Sequence, residues 1–378
     1  MLEQYLEQKP VFYRRMNIFR FFALVDKLQG LLPVIKTVHI LGTNAKGSTG
    51  RYLAQMLGKK YNTAHYSSPH ILSFKERFWA NFDYDLELAH QELQTLLKSR
   101  NLVDNLSYFE YLTLLAPFVF KKANYLILEA GMGGEFDATS AFSKDLCIFT
   151  PIDLDHEDML GSSIESIART KLKAMTDINI SSMQKDIVKT MAEKIARLKG
   201  SKFIFADLND YENCLDEALF LKQNFAVAKR AYLELEKSEF RADLKLDLNG
   251  RCRKIRNNLI IDVGHNELAA KALIKELEKY NTKFSLICNF FADKNVFNIL
   301  KTLKPYLAEI IPFNYDSNRA LIDLKPLACE LNIKISSLEK FSSNEDYFLD
   351  SNKNYLVFGS FLLVEHFLRS FDFASEFV

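Results

Sequence analysis

Apolar positions along the chain fall into two kinds of run. Short, nearly continuous apolar stretches are bounded by glycine or small polar residues, and longer segments between them carry apolar residues at helical spacing. Strand-like runs lie at 38–41, 126–128, 146–150 and 203–205. Helical periodicity covers much of 1–30, with Phe21, Leu24, Val25 and Leu28 on one face. It returns from Ser48 and Thr49 with Tyr52, Leu53, Met56 and Leu57, and again over 86–100 and 107–121. Beyond Ser162 and Ser163, which cap a helix, it runs through Ile164, Ile167, Ala168, Lys171 and Leu172, then over 186–198 and 218–235.

The stretch 240–250 alternates but offers little core, so it reads as an inter-domain connection. A second series follows, with strands expected at 258–263, 284–290, 309–313, 333–337 and 355–360 and amphipathic segments between them. The pattern predicts an α/β protein of two domains. Residues 1–245 form a P-loop-type, mostly parallel sheet with helices on both faces. Residues 246–378 form a smaller Rossmann-like, mostly parallel α/β domain.

Composition narrows the function classes. The 378 residues carry a net charge of +1, so no global field calls for nucleic acid or a membrane surface. No apolar run reaches the ~18 residues of a membrane span. The opening MLEQYLEQKPVFYRRM lacks an apolar signal core. The five cysteines form no CxxC pair and read as buried thiols in a reducing compartment. The expectation is a cytoplasmic protein. Thirty-one phenylalanines against one tryptophan read as core filling rather than a stacking platform.

The chemistry sits where strands end. VHILGTNAKGST runs from an apolar strand through a small turn into a helix. Backbone N–H groups in such a turn, with the free donors of a helix N-terminus, cradle phosphate oxygens. The turn holds Gly42, Thr43, Asn44, Ala45, Lys46, Gly47, Ser48 and Thr49. Its lysine precedes the second glycine, unlike the usual P-loop. Lys46 is a reaching point charge, and the Ser48 hydroxyl can face Mg²⁺. Pro69 makes the next polar stretch a loop, in which Ser68 is an oxygen ligand candidate and His70 and Arg77 can meet an anion, or in which all three are simply solvated. Glu110 either favours a helix N-terminus or lines a pocket.

Glu129 ends the strand at 126–128, where open α/β sheets place ligands and where an acid near a phosphate loop holds Mg²⁺. Gly131, Gly133 and Gly134 follow it and permit close backbone approach. Asp153, Asp155, Glu157 and Asp158 surround His156 just past a third strand, an oxygen- and imidazole-rich set. From spacing alone Lys171 is a snorkelling surface lysine. In the second half, Asp262, Gly264, His265 and Asn266 end a strand, Arg251 lies just upstream, and Ser360 opens a helix as another anion candidate.

Nine stretches occur in one order: GTNAKGST, SSPHILSFKERF, FEYLT, LEAGMGGEFDAT, IDLDHEDMLG with Lys171, Gly250-Arg251, DVGHN, ADKN and FGSFLLV. From about residue 15 onward the chain resembles the folylpolyglutamate synthase/dihydrofolate synthase family of Mur-ligase-like ATP-dependent amide ligases. The resemblance implies an ATP- and Mg²⁺-dependent enzyme that joins L-glutamate to dihydropteroate, a folate, or both, through an acyl phosphate; a monomer is the expectation.

It also implies residue roles. Lys46 and the backbone of 42–49 would hold the ATP phosphates. Ser68 and Glu129 would hold one Mg²⁺, and Glu129 and His156 a second. Lys171 would be carbamylated beside the second metal. Asn224, Arg251, Asp262 and His265 would contact ATP. His70, Arg77, Phe109, Glu110 and Asp155 would line the pterin side, and closure of the two domains on ATP is expected to exclude water. Four positions depart from the family pattern. Ala45 replaces a glycine and should avoid positive φ or be strained. Thr170 replaces a glutamate, Glu135 an arginine, and Val263 follows Asp262 in place of glycine. A muramyl-precursor ligase and a non-ligase P-loop ATPase are the alternative readings.

Overall fold

The structure is a computed structural model that describes residues 1–10, 18–102, 105–336, 353–371 and 373–376. The chain divides into two compact units. The first takes in Met1–Ser68, Lys75–Asp216 and Lys222–Leu246. The second takes in Pro69–Phe74, Glu217–Leu221 and Asp247–Val378.

The first unit is built on a seven-stranded sheet: β1 (Lys36–Leu41), β2 (Thr63–Tyr66), β3 (Phe78–Ala80), β4 (Tyr125–Glu129), β5 (Leu146–Phe149), β6 (Ile178–Ser181) and β7 (Lys202–Phe205). Their spatial order is β3-β2-β4-β1-β5-β6-β7. All neighbours run parallel except the edge strand β3, which pairs antiparallel with β2. The central strands read as unbroken apolar runs because helices bury both faces. On one face, Val38, Ile40, Ile127 and Ile148 pack against Tyr52, Leu53 and Met56 of α3 (Lys46–Leu57) and Phe225 and Ala228 of α9 (Leu219–Glu236). Along the opposite face, Leu41, Cys147 and Phe149 pack on Ile167 and Leu172 of α7 (Ile164–Leu172) and on Val188 and Ala192 of α8 (Asp186–Lys199).

Helix ends follow local chemistry. Ser107 and Glu110 form a reciprocal capping box on α5 (Tyr108–Val119), satisfying two donors that the first turn leaves open. Ser163, and not its neighbour Ser162, accepts the Ser166 N–H at the start of α7. Phe21, Leu24, Val25 and Leu28 of the amphipathic N-terminal pattern are buried around α2 (Ile18–Lys27), which follows α1 (Leu2–Glu7), and α4 (Leu86–Ser99) precedes α5. Among the described residues, no helix is long and apolar enough to cross a membrane.

The second unit holds five strands: β8 (Arg253–Arg256), β9 (Leu259–Asp262), β10 (Phe284–Cys288), β11 (Leu307–Pro312) and β12 (Asn354–Phe358). Their order is β11-β10-β12-β9-β8, parallel but for the antiparallel edge strand β8. The strand expected at 333–337 reduces, in its described part, to a single parallel bridge between Ile335 and Ile310, and Ser337 lies outside the described residues. That bridge is made by the Lys334 carbonyl, which accepts the Ile310 N–H, and the Ile310 carbonyl, which accepts the Ser336 N–H. The expectation of little core over 240–250 also fails in part. Phe240 and Leu244 are buried against the first unit's core, so the connection is anchored up to that point.

Candidate active site

Four neighbouring strands of the first sheet, β2, β4, β1 and β5, end beside one another, and each delivers polar residues just past its carboxyl end. Past β1 the chain turns at Gly42 (φ 149°). A Cβ built there would lie 1.9 Å from the Thr150 hydroxyl oxygen, so only glycine lets the loop lie against the end of β5. Ala45 sits at φ 70° and ψ 0°, in the left-handed region, as the residue before α3. Of the two outcomes expected for alanine here, avoiding positive φ or being strained, the structure shows the second. The chain must reverse from β1 into the helix in four residues, and Ala45 carries the strain at a cost of roughly 1–2 kcal/mol.

The Lys46 ammonium folds over the loop and donates to the carbonyls of Gly42 (3.3 Å) and Thr43 (3.1 Å). Ser48 is fully buried. Its hydroxyl donates to the Ala45 carbonyl and accepts from the Asn224 amide at 2.9 Å. Ser48 thereby braces the loop, because α9 packs over this turn. Asn224 is accordingly brought to the phosphate loop. Thr49 is buried with its hydroxyl unpartnered.

Lys171 joins the same loop. Spacing alone made it a surface lysine, yet it is 5% exposed. Its ammonium donates to the carbonyls of Gly42 (3.0 Å) and Gly133 (3.3 Å). Burial first, and then the neighbouring Lys46 cation, push it down to about 7, with Asp137 and Asp155 opposing. Gly134 makes this approach feasible. A Cβ there would stand 2.3 Å from the Thr170 carbonyl oxygen, and the Glu135 N–H donates to that same oxygen at 2.9 Å. Glu135 itself pairs with Lys173.

Glu129 ends β4 with 4% exposure, and one carboxylate oxygen accepts the Ser68 N–H at 3.1 Å, so two of the expected metal residues meet. His156 stands at φ 52° as the residue before α6 (Glu157–Leu160), its side chain 41% exposed and its Nε2 3.8 Å from Asp155 Oδ2. Asp155 also accepts the His156 N–H. No three His, Cys, Asp or Glu side chains among the described residues cluster into a metal cage. The Glu129 carboxylate and the Ser68 hydroxyl are oxygen donors of the kind that Mg²⁺ takes alongside phosphate oxygens and water.

Around this centre, Arg77 is buried with its guanidinium 5.4 Å from the Tyr108 ring centre. The Phe109 ring lies over Gly131, where a Cβ would fall 2.6 Å from Cζ. The Glu110 carboxylate serves two structural partners, the Ser107 N–H at 2.7 Å and the Arg20 guanidinium at 2.5 Å. Of the two readings left open for it, the helix N-terminus is the one observed. His70 belongs to the second unit.

Within the second unit, Asp262 ends β9 and accepts the N–H groups of Cys252 (2.8 Å) and Gly264 (2.7 Å). Burial raises its pKa. The Arg251 guanidinium lies 4.9 Å from the Phe361 ring centre, and the His265 ring lies 6.5 Å from the same ring. Arg251, Asp262 and His265 therefore share one end of the second sheet. Phe361 was not singled out from the sequence; its position one residue past FGS was the available signal. Asp137 was also passed over. Its carboxylate accepts from Met132 and Thr139 and orders the glycine loop.

A strand–turn–helix phosphate loop, a buried strand-end carboxylate beside it and a second parallel-sheet unit define a nucleotide-using α/β enzyme. No family model matches the chain. Among solved structures, the chain is similar to Helicobacter pylori folylpolyglutamate synthetase, with 36% identity, a TM-score of 0.77 and coverage of 98% of each chain. It is also similar to the bifunctional folylpolyglutamate synthase/dihydrofolate synthase of Yersinia pestis complexed with AMPPNP and Mn ion, with 25% identity, a TM-score of 0.82 and coverage of 98% of this chain and 97% of that one. A dihydrofolate synthase/folylpolyglutamate synthase of Buchnera aphidicola is 28% identical over 398 residues, 95% of this chain and 93% of that protein. The chain belongs to the folylpolyglutamate synthase/dihydrofolate synthase family.

Proposed function

We propose that the protein is an ATP-dependent ligase joining L-glutamate to the carboxylate of dihydropteroate, a folate, or both. The observation that carries this reading is the meeting of Lys46 and Lys171 at the Gly42 carbonyl of the phosphate loop. In the reaction a substrate carboxylate oxygen attacks the γ-phosphorus, the bond to ADP breaks, and an acyl phosphate forms. The glutamate amine then attacks the acyl carbon, phosphate leaves with the C–O electron pair, and the amine loses a proton. The first step brings anions together, so it needs preorganised positive charge.

In this reading Lys46 and the loop backbone of 42–49 hold the phosphates, the Thr43 and Thr49 N–H groups excepted, which donate to the Pro151 and Ala45 carbonyls. Ser68 with Glu129, and Glu129 with His156, would hold two Mg²⁺ ions, which when bound would neutralise phosphate charge. Lys171, driven towards its neutral amine by burial and by Lys46, is suited to take up CO₂ as a carbamate. Asn224 braces the loop under the nucleotide, and Arg251, Asp262 and His265 are the further nucleotide contacts of this reading. Asp155, Arg77, His70 and Phe109 serve the acceptor, with Glu110 holding the Phe109 helix in place. The chain acts as a cytoplasmic monomer; the five free thiols support that compartment, and light scattering on a sizing column tests the mass.

The deciding experiment measures ATP consumption with glutamate plus dihydropteroate, tetrahydrofolate or a UDP-muramyl acceptor, each scored by product mass. Glutamylated pterin product is expected. A muramyl product, or ATP turnover without any acceptor, would overturn the proposal.

A further inference from the structure

Residues 150–153 link β5 to the turn that carries Asp155 and His156, and they are gripped from two sides. On the phosphate-loop side, the Thr43 N–H donates to the Pro151 carbonyl at 2.9 Å. The Thr43 hydroxyl closes a two-way clasp on one residue: it donates to the Asp153 carbonyl at 2.9 Å and accepts the Asp153 N–H at 3.0 Å. From the β6 side, the buried Gln184 amide accepts the Ile152 N–H at 3.0 Å and donates to the Thr150 carbonyl at 3.0 Å. Gln184 also donates to the Ser181 hydroxyl at 3.2 Å, which ties it to the end of its own strand.

We propose that Thr43 and Gln184 are positioning residues that jointly hold 150–153 and so set the placement of Asp155 and His156 relative to the phosphate loop. The inference rests on the reading of His156 as a metal residue. The Thr43 hydroxyl spends its donor and its acceptor on Asp153, so its part is to fasten two loops rather than to touch phosphate. Gln184 acts from the far side of the segment and supplies both donor and acceptor, which an apolar residue of the same shape cannot do. Groups that orient a ligand from behind typically change metal affinity by about 10–100-fold when removed.

The test uses the full chain and Mn²⁺ binding followed by electron paramagnetic resonance, with AMPPNP present. Three variants are compared: T43V, which keeps the branched shape, T43S, which keeps the hydroxyl, and Q184L. AMPPNP affinity without metal is measured beside it. T43V and Q184L are expected to weaken Mn²⁺ binding roughly tenfold, more than they weaken metal-free AMPPNP binding, and T43S is expected to restore Mn²⁺ binding. Should Q184L not fold, Q184E, which keeps the acceptor for Ile152, carries the same expectation. Unchanged Mn²⁺ affinity in both variants overturns the clasp. So does an equal loss of metal-free AMPPNP affinity in T43V, which would place the hydroxyl on the phosphates. Wild-type protein that binds no Mn²⁺ overturns the metal reading itself, and is told apart by failing before any variant is made.

Discussion

Gly134→Ala probes the contact that brings Lys171 to the loop. The added Cβ would stand 2.3 Å from the Thr170 carbonyl oxygen and 2.4 Å from Lys171 Cα. Both atoms are helix backbone and cannot swing aside. Overpacking a filled site costs roughly 1–3 kcal/mol. Separating the loop from α7 also removes the Glu135 N–H bond to Thr170, about 1 kcal/mol more. Stability is therefore expected to fall by about 2–4 kcal/mol. The same shift pulls the Gly133 carbonyl from Lys171, now 3.3 Å away. A misplacement of about 1 Å at reacting groups costs on the order of 10²-fold, so kcat/KM should fall about a hundredfold.

Gly200→Ala is the control. Gly200 lies at φ 64° between α8 and β7, and a methyl added there would meet nothing within 4 Å. It should lose only about 1 kcal/mol to left-handed strain and keep its turnover. Denaturant unfolding reads the stabilities, and coupled ADP release reads kcat/KM. Wild-type turnover in G134A, or an equal activity loss in both variants, would refute the reasoning.

Further expectations concern the loop lysines and Ala45. Lys171 titrates near 7 when folded and at 10.5 when unfolded, so the unfolded chain binds more protons between those values. Wild-type stability should gain up to about 1.4 kcal/mol per pH unit from this group as pH rises through that window, and K171M should lack the slope. Equal slopes in denaturation series from about pH 7 to 10 would contradict the burial of a titrating amine. Ala45→Gly should stabilise the protein by about 0.5–1 kcal/mol, the relief of left-handed strain exceeding the added freedom of the unfolded chain; a lower denaturation midpoint would count against it. Lys46→Ala should lose about 2 kcal/mol or more of transition-state stabilisation, roughly 30-fold in kcat/KM, and near-normal turnover would remove Lys46 from the phosphates.

The central strands β1, β4 and β5 were legible because helices bury both their faces, which forces continuous apolar runs. The strands that escaped notice have other physics. β6 reads INIS, and its Asn179 and Ser181 are buried but satisfied locally: the Asn179 amide donates to the Thr176 and Lys202 carbonyls. Once a polar side chain is paired, burial leaves no trace in hydropathy. β2 reads TAHY and hides for the same reason, its buried His65 accepting from Arg51. The antiparallel edges β3 and β8 are too short for their alternation to rise above the surrounding loops.

The site divides along a similar line. Glu129, Asp155 and His156 were legible as candidates because a carboxylate or imidazole at a strand end is a visible residue type in a visible place. Lys171 did not, although it is the most telling group in the site. Its partners are the carbonyls of Gly42 and Gly133, 129 and 38 positions away in the chain. A carbonyl has no letter in the sequence. What makes those oxygens available is the absence of a side chain, at Gly42 against Thr150 and at Gly134 against α7. Each of those glycines reads alone as a permissive turn residue. Only the fold turns them into two approaches that converge on one amine, and the same holds for Thr43 and Gln184, whose partners on 150–153 are backbone groups as well. The chemistry-bearing residues can be read from composition at strand ends; the residues that hold them in register act through backbone atoms and become visible only in three dimensions.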